Sequence, residues 1–221
     1  MPPIRRVRQH VNPLSNKYAT PAIAPNWTEI YADPKLPLHL DVGCAKGDFL
    51  RDMGRQISGW NFLGLEIRAP LVERCLLRRD QALTEGAPKN LHFIFCNANN
   101  SLKPLLESYP GDLQCVSIQF PDPWFKKRHQ KRRVVQPELV SVLAELMPES
   151  GMVWLQSDIE AVCEEMCDRF DENPNFKRDG SMHHDTMWLP DSPFPAQTDR
   201  EQVTQEKGLP IYRARYFLKK T

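Results

Sequence analysis

The sequence predicts an α/β protein: a doubly wound, mostly parallel sheet with helices on both faces, Rossmann-like in plan. Three observations carry that expectation. From Leu36 onward, short apolar runs alternate with helix-like stretches, the pattern of strand–helix units that build a parallel sheet. The first run leads into a glycine turn, Gly43-Cys44-Ala45-Lys46-Gly47, as a strand passing to a helix beside a ligand does. Polar residues follow one run after another: Asp41–Gly47, Glu66, Asn97, Asp122 and Asp158. Ligands bind such sheets outside the carboxyl ends of the strands, so these residues should converge on one rim.

In chain order, residues 1–35 read as a basic, flexible N-terminal arm, and 36–221 as the α/β domain. Residues 1–28 hold Arg5, Arg6, Arg8 and Lys17 and no acid, and unanchored termini stay mobile. Strands are expected near 38–42, 61–67, 91–96, 113–119 and 151–157, and helices near 48–56, 70–85, 101–108, 136–147 and 159–170. Asp48 opens the first helix after the glycine turn. Ser157-x-x-Glu160 and Thr198-x-x-Glu201 have the form of capping boxes, the second ahead of a helix that Gly208 and Pro210 end. Residues 171–210 read as irregular, with Pro174, Pro190, Pro193, Pro195 and Pro210. Ile211–Leu218 alternates apolar and basic residues, as a half-exposed closing strand does. No internal repeat is present.

A dinucleotide fingerprint, G-x-G-x-x-G, requires glycines at 43, 45 and 48. The chain has Ala45 and Asp48 at the last two positions, so the phosphate-cradling version fails, and a nicotinamide dehydrogenase falls away with it. Glu66 ends the second strand, where an acid accepts bonds from ribose hydroxyls. The expected cofactor is an adenosine without a pyrophosphate. S-adenosyl-L-methionine fits, with the loop near its amino-acid part, Asp41 orienting that part and Glu66 on the ribose.

The segment Phe120–Arg133 is the most specific feature. Asp122 stands between Pro121 and Pro123, Trp124 and Phe125 follow, and six of the eight residues 126–133 are Lys or Arg. Proline fixes its own φ and extends the residue before it, so Asp122 sits in a stiff loop. Aromatic faces beside the acid can stack a base, and the basic run can hold phosphates. A basic run alone reads as a solvated surface. Downstream of a nucleotide-type loop it indicates a nucleic-acid enzyme.

With these residues in place, the chain resembles the tRNA (guanine-N7-)-methyltransferase family, which methylates a guanine of the tRNA variable loop. The likeness runs from Arg8-Gln9-His10 and Asn12-Pro13-Leu14 through Asp41–Gly47, Gly64–Ile67 and Pro121–Arg133 to Thr198-x-x-Glu201. It implies a class I S-adenosylmethionine-dependent methyltransferase fold and a catalytic Asp122. It implies cofactor contacts from Asp41, Gly43, Gly47, Glu66, Asn97, Ala98, Gln119 and Asp122. Substrate contacts would come from Lys126, Asp158, Thr198 and Glu201, and RNA contacts from Arg128, His129, Lys131, Arg132 and Arg133. Two positions depart from the family pattern: Ala45, commonly glycine, and Asn97, which is Asp in some members. The methyl of Ala45 narrows the loop, and Asn97 can still accept from the adenine amino group.

Composition is consistent with this reading. A chain of 221 residues, 41% hydrophobic, suits one domain with a sizeable core. It has no apolar run near the roughly 20 residues needed to cross a bilayer, and its basic start lacks an apolar signal region. A cytoplasmic protein with tRNA as partner, no membrane and no protein partner is expected. The six cysteines contain no C-x-x-C pair and read as buried thiols. Cys163 and Cys167 with His183 and His184 are better explained by core packing than by a metal. Two other functions fit the residues less well. One is methylation of an exocyclic base amine, whose enzymes carry an Asp- or Asn-Pro-Pro-aromatic loop; the other is a non-catalytic RNA-binding protein on a vestigial methyltransferase fold.

Overall fold

The structure is a computed structural model that describes residues 10–180 and 187–220. Arg5, Arg6, Arg8, His183 and His184 lie outside the described residues. In chain order the elements are α1 (Trp27–Ile30), β1 (Leu38–Val42), α2 (Asp48–Gln56), β2 (Asn61–Glu66), α3 (Ala69–Thr84) and β3 (Leu91–Phe95). They continue with α4 (Ala98–Leu106), β4 (Leu113–Gln119), α5 (Pro137–Leu146), β5 (Met152–Ser157), α6 (Glu160–Asp171), β6 (Phe176–Arg178), α7 (Asp199–Glu206) and β7 (Tyr212–Leu218). Among the described residues, one sheet holds seven strands in the order β3-β2-β1-β4-β5-β7-β6. β1 to β5 run parallel, β7 pairs antiparallel with β5, and β6 with β7.

Every residue of β1 and β2 is buried. β1 nevertheless alternates, with His39 and Asp41 standing between Leu38, Leu40 and Val42, and both polar side chains are satisfied inside the sheet by Ser117 of β4. The chain winds outward from β1 to β3 and returns to β4 on the other side of β1. That reversal opens a crevice at the carboxyl ends of β1 and β4, where ligands of doubly wound sheets bind.

Within residues 36–220, two elements differ from expectation by more than a residue at their start or in kind. Helix α4 starts three residues early because Asn97 caps it, its side-chain oxygen accepting from Asn99 N at 3.2 Å. The three-residue edge strand β6 lies inside the segment read as irregular, too short to leave a pattern.

Residues 10–35 of the expected arm run along the domain. Tyr18, Trp27 and Tyr31 are buried. Trp27 stacks on Tyr31 with rings 6.0 Å apart and meets Tyr109 edge-on at 5.3 Å. Tyr31 Oη donates to Phe62 O at 3.1 Å, and Ala22 N to Ser101 Oγ at 3.0 Å. Counting charge in this segment misses its aromatic anchors.

All six cysteines are free and buried. Cys163 donates to Tyr212 O at 3.3 Å, the packing expected for an i, i+4 pair on a core helix face. No helix among the described residues is long and apolar enough to cross a membrane.

Candidate active site

A cleft enclosing about 790 Å³ of space, its open mouth included, lies where β1, β2 and β4 end. Gly43, Glu66, Asn97, Ala98, Gln119 and Asp122 all line it, together with Arg68, Trp124 and Arg132. Gly43 has φ +87, and a Cβ there would meet nothing within 4 Å. The backbone at this point faces open space that a ligand can approach closely.

Asp41 lies under the cleft floor, 4% exposed, between Gly64 of β2 and Ser117 of β4. Ser117 Oγ donates to its Oδ1 at 2.6 Å, and Gln119 Nε2 donates to the same oxygen at 3.2 Å. Burial pushes the Asp41 pKa up to about 6, against the pull of those two donors. The nearby Glu66 charge pushes it the same way. A cation brought beside it would favour its ionised form.

Glu66 is 3% exposed and densely held. Its Oε2 accepts from Ala45 N at 3.0 Å, and its Oε1 from Arg68 N at 2.9 Å. The Arg68 guanidinium grips both oxygens, each at 2.9 Å. Ala45 has φ +49, a left-handed conformation that glycine adopts without strain. Asn97, besides capping α4, donates to Pro13 O at 3.3 Å and so holds the N-terminal segment at the mouth of the cleft. Gly47 faces elsewhere: a Cβ there would lie 2.5 Å from Phe93 and 3.0 Å from the Cys75 sulfur. It is the left-handed cap of α2, at φ +70.

Asp122 is bracketed by two left-handed non-glycine residues, Phe120 at φ +48 and Trp124 at φ +42. Such backbone persists only where surrounding contacts over-determine it. Here Phe120 N donates to Gln156 O at 2.8 Å, and Arg133 Nε to Pro123 O at 2.8 Å. Arg132 covers the Trp124 ring at 4.9 Å, and His129 meets its edge at 5.8 Å. The acid itself is 41% exposed and pairs with His10, Nδ1 to Oδ1 at 2.8 Å.

The basic run divides by direction. Phe125, Lys126, Lys127, Arg128 and Lys131 are exposed, the cations on and beside the short 3-10 turn Lys127–Arg132. Arg133 turns inward and pairs with Glu165 of α6, its side chain 10% exposed. Desolvation, followed by Arg132, Arg128, Lys126 and Lys131, holds the His129 pKa below its ordinary value.

Asp158, Thr198 and Glu201 stand beyond β5, outside the lining of the cleft. Asp158 pairs with Arg200 of α7. Thr198 caps α7, accepting from Glu201 N at 3.1 Å. Glu201 is buried and pairs with Arg213 at 2.9 Å. The box at Ser157 does not close: Ser157 Oγ accepts from Ile159 N at 3.1 Å, and Glu160 instead accepts from Trp188 Nε1 at 3.2 Å. Lys46 of the glycine turn reaches Asp199 at 2.8 Å and joins the two halves of the rim.

Sequence reading missed Arg68, Ser117, Gln156 and Arg213. Arg68, two residues after Glu66, was accessible from local spacing. The others gain their partners only through strand pairing.

The residues of the cleft suit an adenosine cofactor without phosphates. The acid Glu66 stands at the end of β2, Gly43 opens the floor, and the turn lacks the third phosphate-binding glycine. Comparison with known proteins agrees. A family model described as "Putative methyltransferase" matches residues 35–214. The chain is 55% identical over 213 residues to a tRNA (guanine-N(7)-)-methyltransferase of Trichormus variabilis (strain ATCC 29413 / PCC 7937), covering 96% of this chain and 95% of that one. It is 53% identical over 214 residues to the protein of that name from Synechococcus elongatus (strain ATCC 33912 / PCC 7942 / FACHB-805), covering 96% of each. Among solved structures, the 16S rRNA methyltransferase KamB superposes with a TM-score of 0.60 at 13% identity, covering 87% of this chain and 92% of that one. The aminoglycoside resistance methyltransferase NpmB1 gives 0.54 at 14% identity, covering 84% and 89%. These two likenesses show the fold, a Rossmann-like class I methyltransferase, and the near full-length identities show that the chain belongs to the tRNA (guanine-N(7)-)-methyltransferase family.

Proposed function

We propose that this chain transfers a methyl group from S-adenosyl-L-methionine to N7 of a guanine in the tRNA variable loop, giving 7-methylguanosine. The observation that carries the proposal is the shared cleft. A proline-clamped acid, Asp122, opens onto the same space as Glu66 and Gly43, beside an exposed cationic turn. The site of action is the cytoplasm, where tRNA is the partner.

In this reading Glu66 accepts from the ribose hydroxyls while Arg68 and the Ala45 N–H keep its carboxylate in place. Asn97 and Ala98 border the adenine, and Asp41 with Gln119 receives the amino-acid part. Gly47 contributes by shaping the turn. Bound there, the cofactor supplies a sulfonium methyl group.

Guanine N7 carries a lone pair and no proton, so no base is needed at that atom. Charge develops on the purine as the methyl arrives, and Asp122 stabilises it and accepts from the guanine amino or imino hydrogens. Holding N7 in line with the methyl supplies up to ~7–11 kcal/mol. Extracting the base from folded tRNA costs a few kcal/mol. Stacking on Phe125, 73% exposed, would offset part of that, since Trp124 is already covered by Arg132. Lys126, Lys127, Arg128 and Lys131 hold phosphates, with His129 beside them. Arg132 and Arg133 keep the loop shaped, and Asp158 and Thr198 present α7 to the RNA.

The test is incubation with labelled S-adenosylmethionine and total tRNA, followed by nucleoside analysis. Label in 7-methylguanosine is expected. Label in a base methylated on an exocyclic amine would refute the N7 assignment, and no label with intact cofactor binding would refute catalysis on tRNA.

A further inference from the structure

Behind the cofactor floor runs a chain of buried hydrogen bonds whose direction is fixed at one end. Glu201 of α7 and Arg213 of β7 pair at 2.9 Å, with side chains only 1% and 7% exposed. Both also hold Gln156 of β5. Arg213 Nε donates to Gln156 Oε1 at 3.3 Å, and Gln156 Nε2 donates to Glu201 Oε2 at 3.1 Å. A guanidinium only donates and an ionised carboxylate only accepts, so this amide has a single satisfactory orientation.

The amino group of Gln156 also donates to Gln119 Oε1 of β4 at 2.8 Å. That contact orients Gln119 in turn, with its oxygen toward Gln156 and its amino group toward Asp41. The result is the donation to Asp41 Oδ1 at 3.2 Å. On the far side Ser117 donates to the same oxygen, and His39 Nε2 lies 2.9 Å from Ser117 Oγ.

We propose that Arg213 and Glu201 are positioning residues for the Asp41 carboxylate, acting through the fixed polarity of Gln156 and Gln119. The proposal rests on the reading of Asp41 as a cofactor contact. It gives Glu201 a role that its burial allows: it supports the cofactor floor from α7, the helix that Thr198 caps. A plain structural staple between α7 and the sheet would need no particular amide orientation and would leave Asp41 unaffected.

Titration of Asp41 separates the two roles, because the Gln119 donor lowers its pKa from the value burial imposes. The other groups facing Asp41 are Glu66, which raises its pKa, and His39 by way of Ser117. The Cys44 and Cys115 thiols also face it, and burial pushes both up. Asp41 is followed by carboxylate ¹³C NMR in the cofactor-free protein, its signal assigned by its loss in Asp41→Asn. The wild-type midpoint is expected near 6. Gln156→Met frees Gln119 to turn its oxygen toward Asp41 and should raise the midpoint by roughly 0.5–1 unit, as losing a donor to the charged form does. Gln119→Met removes the donor directly and sets the full size of the shift. Arg213→Lys keeps a charge against Glu201 but loses the Nε donor, and should move the midpoint the same way by less. Unchanged midpoints in folded Gln156→Met and Arg213→Lys overturn the proposal. S-adenosylhomocysteine binding checks the reading beneath it: an Asp41→Asn protein that binds as tightly as wild type overturns the cofactor role of Asp41, while the titration still reads the relay.

Discussion

Asp41→Asn should stabilise the cofactor-free protein while impairing its site. Burial raises the Asp41 pKa from 3.8 to about 6. At about 1.36 kcal/mol per unit, ionising this group in the folded state costs roughly 3 kcal/mol at neutral pH. Asparagine is nearly isosteric, carries no charge, and has an oxygen that accepts from Ser117 and Gln119 as Oδ1 does now. Removing the charge should therefore recover roughly 2–3 kcal/mol. At about 2–4 °C per kcal/mol for a chain of this size, the melting temperature rises by about 5–10 °C.

The sign fixes the pH window. A carboxyl whose folded pKa is raised favours the fold below its unfolded value of 3.8 and loses that contribution as pH climbs through about 6. The advantage of Asp41→Asn should be full at about pH 7.5 and vanish toward about pH 4. His39, held down to about 3 by burial, destabilises both proteins equally as acid rises and cancels in the difference. Scanning calorimetry of the two proteins across this range is the assay. S-adenosylhomocysteine should meanwhile bind the variant roughly 10- to 100-fold more weakly, the scale of one lost charged hydrogen bond. A variant no more stable than wild type at neutral pH, or an advantage independent of pH, would refute the reasoning.

Glu66→Ala should weaken S-adenosylmethionine and S-adenosylhomocysteine alike by roughly 1.5–3 kcal/mol, since ribose contacts do not distinguish them; calorimetric titration showing unchanged affinity removes Glu66 from the site. Asp122→Asn should slow single-turnover methylation with saturating tRNA by roughly 10²-fold or more, and a rate equal to wild type leaves Asp122 as a turn residue only. Replacing Lys126, Lys127, Arg128 and Lys131 with alanine should raise the tRNA Michaelis constant and flatten log affinity against log salt by somewhat under one unit per lost contact. An unchanged slope would make this turn a bystander. Ala45→Gly relieves a left-handed alanine worth ~1–2 kcal/mol against the ~0.4–1 kcal/mol entropic cost of a glycine. A small net gain in denaturant midpoint is expected, and a loss would mean the methyl packs usefully.

The sequence by itself determined the order of strands and helices and the edge at which chemistry gathers. Short strand-forming stretches set between helix signals mark β1 and β2, and a residue that ends such a strand falls on the rim. Glu66, Asn97 and Asp122 were legible for that reason, as was the stiffness of the Pro121–Pro123 loop. Direction was not. Gly47 and Gly43 look alike in the chain and are both left-handed, yet one packs on Phe93 and the other faces the cleft, because the fold decides what stands opposite each. Arg133 looks like one more cation of its run, and only the placement of α6 supplies Glu165 to turn it inward. Arg213 and Gln156 lie 57 residues apart in the chain and meet because β7 runs antiparallel beside β5. The polarity of the amide chain beneath Asp41 is therefore a property of strand pairing: each residue in it is an ordinary polar side chain until the sheet aligns donor with acceptor.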